Sequence, residues 1–152
     1  MEDEVRFDIK KLENFEKVLK KKYIAKVGIL KNSAHSSGMG NAEIGAVHEF
    51  GSYTKKIPAR SFLRGPLMSH GKEIVKEVAE QAMQAFVDGE PKKAYAVLGI
   101  AGENIVQKAF ETSGFGKWAP NKPATIARKG SAQPLVDTSQ LRRSITSEVG
   151  TK

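Results

Sequence analysis

Two long apolar stripes joined by one tight turn constrain this chain more than any other feature. From about Pro66 to Val87, the residues Ile74, Val78, Ala82, Ala85 and Phe86 recur on one helical face. From Pro91 to near Gly114, Ala94, Val97, Leu98, Ala101, Ile105 and Ala109 do the same. Between the stripes stands Asp88-Gly89-Glu90-Pro91. Pro91 suits a first helical turn, because the N–H it lacks is one that a helix start leaves unpaired. So short a connection makes the two helices antiparallel neighbours. Alanine at several facing positions lets them approach closely.

The rest of the chain supplies short elements. "YIAKVGIL", Tyr23 to Leu30, places Ala25, Val27 and Ile29 on one face of a strand. "SITSEV" near the end reads as a second strand, able to pair with the first. A short helix from about Ala42 to Phe50 carries Ile44, Val47 and Phe50 on a shared face, with His48 and Glu49 on its less buried side; Gly51 stops it. An N-terminal helix spans about Asp8 to Lys21, with Leu12, Phe15 and Leu19 at helical spacing and Asp8 as its cap. Its closing lysines, Lys20 to Lys22, suit the negative end of a helix. Residues 31–42 are rich in Ser, Gly and Asn and read as a mobile loop. Residues 115–141 hold three prolines and no sustained period, so they read as a long extended arm or loop, with helical turns at "PATIARKG" and at "DTSQLRRSI", the latter capped by Asp137 or Thr138. The expected architecture is α+β in a single domain over residues 1–152. A small antiparallel sheet packs against the helical hairpin, with an N-terminal helix at residues 1–22 and the long loop before the C-terminal strand.

Charge narrows the choice of partners. The net charge is +8, and it is uneven: residues 50–72 carry five basic side chains and no acid. From Lys117 onward seven basic residues face only Asp137 and Glu148. Such asymmetry suits an acidic partner or a solvated basic face. No run approaches the roughly 20 apolar residues that span a bilayer, so no membrane partner is expected. The acidic, mixed-charge start lacks the pattern of a signal peptide, and synthesis in the cytoplasm is the expectation. There is no cysteine, hence no disulfide, thiolate metal site or cysteine nucleophile.

The segment "HEFGSYTKKIPARSFLRG", residues 48–65, has neither helical nor alternating period. Pro58 biases Ile57 toward extended backbone, so the segment reads as an exposed loop leading into a short extended piece at Arg60 to Leu63. Its His-Glu pair lacks the second histidine one turn on that a zinc helix needs, since Ser52 stands there. "GMGNAEIG" neither follows a strand directly nor ends in Gly-Lys-Ser/Thr, so it is no phosphate loop. No glycine-flanked serine nucleophile and no paired carboxylates appear. The chain reads as non-enzymatic, with no catalytic residue, metal or cofactor. A nucleic-acid reading would draw on Arg60, Arg64, Lys117, Arg128, Lys129, Arg142 and Arg143 for phosphates, and on Phe62 and Trp118 for stacking.

Three pieces together resemble one family. "VHEFGSYTKKIPARSFLRGPL" is similar to a His-Glu-aromatic-Gly element followed by an Ile-Pro-Ala-Arg-Pro-Phe-Leu element in the virion morphogenesis proteins of tailed phages, which include tail-completion and neck components. "KWAPNKPATIARKG" and "PLVDTSQLRRSITSEV" resemble two further pieces of the same family, in the same order. Together they cover about residues 23–149; Ser61 stands where that family often has proline, and Ser139 where it often has glycine. The resemblance implies a non-enzymatic α+β domain at the head–tail junction or the head-proximal end of the tail. It would complete or terminate the tail, working as a homo-oligomeric ring (a hexamer among the options) with tail-tube and neck or connector proteins as partners, and with nonspecific contact to passing DNA. On this reading residues 48–65 form a docking element. The interface candidates are Glu49, Phe50, Arg60, Phe62, Leu63, Arg64, Trp118, Arg128, Lys129 and Arg142. Arg60 would hold a carboxylate bidentately, with Glu49 the nearest candidate, and Trp118 would anchor an arm that a neighbour orders. The competing class is a small basic nucleic-acid-binding protein.

Overall fold

Tyr23–Gly28 (β1) and Thr146–Thr151 (β2) pair antiparallel, with Tyr23 opposite Thr151 and Gly28 opposite Thr146. The structure, a computed structural model, describes residues 10, 13, 16, 17, 20–31, 38–135 and 139–151. Five helices lie among them: α1 Asn41–Phe50, α2 Arg64–Val87, α3 Pro91–Glu111, α4 Pro123–Lys129 and α5 Gln140–Arg143. The α+β class and the pairing of the first and last strands match the expectation from sequence.

The central element is α3. It packs along α2 on one side and against both strands on another. Two glycines allow the second contact. A methyl group on Gly102 would come within 3.1 Å of Val27 and 3.3 Å of Leu67, and one on Gly99 within 3.1 Å of Ser147. At these two points the helix backbone therefore rests directly on the strands' side chains. The turn into α3 works as its composition suggests: Glu90 N–H donates to Ala85 O at 2.8 Å, and Pro91 opens the helix.

The core is graded along the hairpin. Ala82, Ala85 and Ala94 fill its turn end, and Ile74, Val78 and Ala101 its middle. The bulky side chains gather at the open end, where Phe62, Val106, Phe110, Leu141 and Ile145 form one buried cluster. The Phe62 and Phe110 rings meet there at 5.3 Å. Burying a ring of this size contributes about 1.5–3 kcal/mol, so this end holds most of the apolar stabilisation.

Lys10, Glu13, Glu16, Lys17 and Lys20 are helical and exposed, and Lys20 pairs with Glu16 at 2.6 Å. The apolar stripe and cap expected of that N-terminal helix (Leu12, Phe15, Leu19 and Asp8), residues 32–37 of the expected 31–42 loop, and the caps Asp137 and Thr138 lie outside the described residues. Among the described residues no helix is long and apolar enough to cross a membrane.

Candidate functional site

The segment after α1 folds back on that helix. Gly51 ends it at φ 78°, and a methyl group there would come within 2.8 Å of the Ala59 nitrogen. Ser52 and Ile57 then exchange two backbone hydrogen bonds of 2.9 Å each, closing a small hairpin with Tyr53 to Lys56 at its tip. The expected extended piece at Arg60 to Leu63 is not a strand; the short pairing lies earlier, at this hairpin. Beyond Pro58, Arg60 N–H donates to His48 O at 2.7 Å, bringing the chain back alongside the end of α1.

That return places Glu49 under the start of α2, where a helix leaves N–H groups unpaired. The carboxylate is 7% exposed. One oxygen accepts from the Phe62 and Leu63 N–H groups at 2.9 and 3.0 Å; the other accepts from the Ser61 hydroxyl at 2.6 Å and Arg64 N–H at 3.2 Å. Ser61 Oγ in turn accepts from Gly65 N–H at 2.7 Å. Glu49 is thus a cap for α2 supplied by another helix, and its negative charge suits the positive end of the helix. Two expectations are corrected here. Glu49 lies on the buried side of α1, and it does not pair with Arg60. The buried side is Asn41, Gly45 and Glu49, because Gly45 lets the helix lie against Ile29 and Phe62. Phe50 consequently turns outward and is 68% exposed, rather than packing the helix down.

Arg60 is 6% exposed and faces inward, not toward a neighbour. Its Nε donates to Ala119 O at 2.8 Å, and its Nη2 donates to Pro120 O at 3.1 Å and Asn121 Oδ1 at 3.4 Å. Burial lowers its pKa. The planar fork does hold a partner at several points, but the partners are two backbone carbonyls and an amide oxygen, with no carboxylate among them. Beside it Trp118 stands edge-on to Phe110 at 5.7 Å and donates from Nε1 to Ser61 O at 3.2 Å. Gly114, at φ 70°, gives the indole its room; a methyl group there would overlap it. The start of the 115–141 segment is therefore docked on its own chain, which corrects the reading of Trp118 as an anchor awaiting a neighbour. Asn121 extends the docking by donating to Ala132 O and Gln133 O, each at 3.2 Å.

The remaining candidates divide. Phe62 is 2% exposed, and half-buried Leu63 packs against the same cluster. Arg142 ties α5 to α3, donating to Gln107 Oε1 at 2.7 Å and pairing with Glu111. Lys129 donates to Gln133 O at 3.3 Å, while Arg128 is exposed. Arg64 is exposed and lies over the Phe50 ring, 5.8 Å from its centroid. These two rim an apolar groove of about 310 Å³ lined by Ile29, Ala42, Gly45, Ala46, Phe62 and Leu63. Tyr53, 99% exposed, stands on the nearby hairpin. Gln133 was not singled out from sequence, yet its amide donates to Phe110 O at 2.8 Å and closes the last turn of α3.

A second concavity, of about 380 Å³, opens between the 52–57 hairpin, α4 and α5. Its lining includes Lys55, Lys56, Arg60, Lys122, Arg128 and Lys129, with no Asp or Glu among the described residues. His48 also borders it; burial, then the charges of Arg60 and Lys129, lower its pKa. Among the described residues no group of three His, Cys, Asp or Glu is placed to hold a metal ion. No family model matches the chain, and neither does any curated protein or solved structure.

Proposed function

We infer that this chain is a non-enzymatic structural protein of a tailed-phage particle. It acts at the head–tail junction or head-proximal end of the tail, where it completes or terminates the tail as a ring-forming homo-oligomer. It is made in the host cytoplasm and carried in the virion. One observation supports this above the others. The three phage-like stretches, far apart in sequence, meet in one cluster: Phe62 comes from the first, Trp118 from the second, and Leu141 and Ile145 from the third. The resemblance thus falls on residues that lock a single scaffold together. That scaffold leaves Phe50 and Arg64 exposed beside the apolar groove, which suits docking onto tail-tube or neck protein.

The basic-protein alternative draws on the net charge of +8 and the cations of the second concavity. Phe62 and Trp118, its candidates for base stacking, are engaged in the chain's own core. Negative-stain electron microscopy and sedimentation of the purified protein, alone and with purified tail tubes, discriminate between the two. The structural reading expects closed rings, or density at one end of the tubes that Phe50→Asp removes. A strict monomer that ignores tubes and binds duplex DNA with a steep salt dependence would overturn it.

A further inference from the structure

The second concavity combines an apolar floor with a cationic rim. Ile44, Ile57, Leu135 and Leu141 contribute apolar lining, and six basic side chains border it, five of them at the rim and the sixth, Arg60, buried on its carbonyl partners. Counting Asp137, which adjoins this lining in sequence, against those six still leaves five positive charges in excess. Like charges gathered this closely repel one another, so the cleft favours an anionic visitor. Its shape favours carboxylates carried on a protein over a nucleic-acid backbone. At about 380 Å³ it admits a few side chains and is not a groove that tracks successive phosphates. None of its lining residues is Phe, Tyr or Trp, and the one ring there, His48, is half-buried, so it offers bases little stacking surface.

The same chain carries a complementary surface. On α2, Glu73, Glu77 and Glu80 fall along one ridge at helical spacing, continued by Asp88 just past the helix end; all four are exposed, with the exposed cation Lys76 beside them. Exposed Met83 and Val87 flank that ridge. The buried residues of α2 along this stretch, Ile74, Val78, Ala82 and Ala85, lie on a different stripe, so the ridge is left uncovered. Ridge and cleft are different patches of one molecule. A contact between them on two copies is head-to-tail, which closes into a ring when the rotation between copies allows.

We propose that the basic cleft of one copy receives the acidic ridge of α2 from the next, with the ridge carboxylates meeting Lys55, Lys56 and Arg128 and the flanking Met83 or Val87 reaching the apolar floor. The inference rests on the ring-forming reading and deepens it, since it names the two surfaces that join.

Sedimentation velocity of the full chain at low and high salt tests it, with circular dichroism checking the fold of each variant. Three variants are needed: a cleft reversal (Lys55→Glu with Arg128→Glu), a ridge reversal (Glu77→Lys with Glu80→Lys), and all four changes together. All four residues are exposed. The wild type is expected to assemble and to weaken as salt rises. Each reversal alone should weaken assembly about a hundredfold, because like charges then face each other. The fourfold variant, whose charges are complementary again, should recover it. A wild type that is monomeric at every concentration overturns both the ring reading and this inference. A wild type that assembles, with both reversals assembling equally well, overturns only the inference. Assembly indifferent to the cleft reversal, together with loss of binding to a labelled DNA duplex, makes the cleft a phosphate site and also overturns it.

Discussion

Replacing Glu49 with alanine should be the most damaging single change to this fold outside its aromatic core. The carboxylate meets three backbone N–H groups and one hydroxyl at the start of α2. Without it, the buried Phe62 N–H is left unpaired, at a cost of about 1–3 kcal/mol. The Leu63 and Arg64 N–H groups are partly open to water, so each loses roughly 0.5–1.5 kcal/mol. Removing a negative charge from a helix start adds about 0.3–1 kcal/mol. Together these predict a loss of roughly 2–7 kcal/mol, a large share of the stability of an ordinary domain. The midpoint of thermal unfolding should fall by about 10 °C. Glu49→Gln keeps one acceptor oxygen and the side-chain volume, so it should lose only about 1–2 kcal/mol. Urea unfolding followed by circular dichroism and by fluorescence of Trp118, the single tryptophan, measures both variants. If Glu49→Ala lies within about 1 kcal/mol of wild type, the carboxylate is not the cap that its geometry implies.

Arg60→Lys should cost about 1–2 kcal/mol, because an ammonium cannot reproduce the fork onto Ala119 O and Pro120 O. Hydrogen exchange in the free wild-type monomer should show protection at the Gly116 and Trp118 amides, which donate to Thr112 O and Ser113 O; exchange there at unstructured rates would refute the docking of this segment. Ser139 sits at φ 59°, the left-handed region. Ser139→Gly should therefore stabilise by about 0.5–1 kcal/mol, the relief of strain outweighing glycine's extra entropy, and a lower urea midpoint would contradict this. His48 has its pKa lowered by burial and then by the charges of Arg60 and Lys129. The unfolded chain thus takes up a proton below about pH 6.5 that the folded chain resists. Its contribution is complete above that pH and is lost as pH falls toward the folded value. His48→Gln should show a flatter decline of stability over that window, and identical slopes for both proteins would refute the assignment.

Periodic segments were the legible part of this sequence. The helical hairpin, the pairing of its first and last strands and the helical turn at "PATIARKG" follow from spacing, proline and glycine alone. Failures cluster at residues 48–65, where side chains that look like surface chemistry are internal ties. Of the apolar pattern at Ile44, Val47 and Phe50, Ile44 packs against the core and Val47 is half-buried, but Phe50 is exposed and the most buried side of α1 lies elsewhere. The side that is buried carries Gly45, whose missing side chain gives no periodic signal, and Glu49, whose burial depends on helix N–H groups supplied from across the fold. Arg60 was read correctly as a multidentate donor and wrongly as facing outward. No local pattern could reveal that the carbonyls of Ala119 and Pro120 would arrive beside it. Ser61 left a small trace, standing where the resembled family often has proline. Its hydroxyl bridges Glu49 and Gly65 N–H, so serine here has a task of its own in the cap.

We propose that this scaffold completes or terminates a phage tail. Electron microscopy of a lysate in which this gene is silenced tests it most directly, scored for head–tail joining and for tail length. Filled heads beside unjoined tails of normal length are expected if the protein completes the tail, and overlong, ragged tails if it terminates growth. Particles that are whole, of normal tail length and infectious would contradict it.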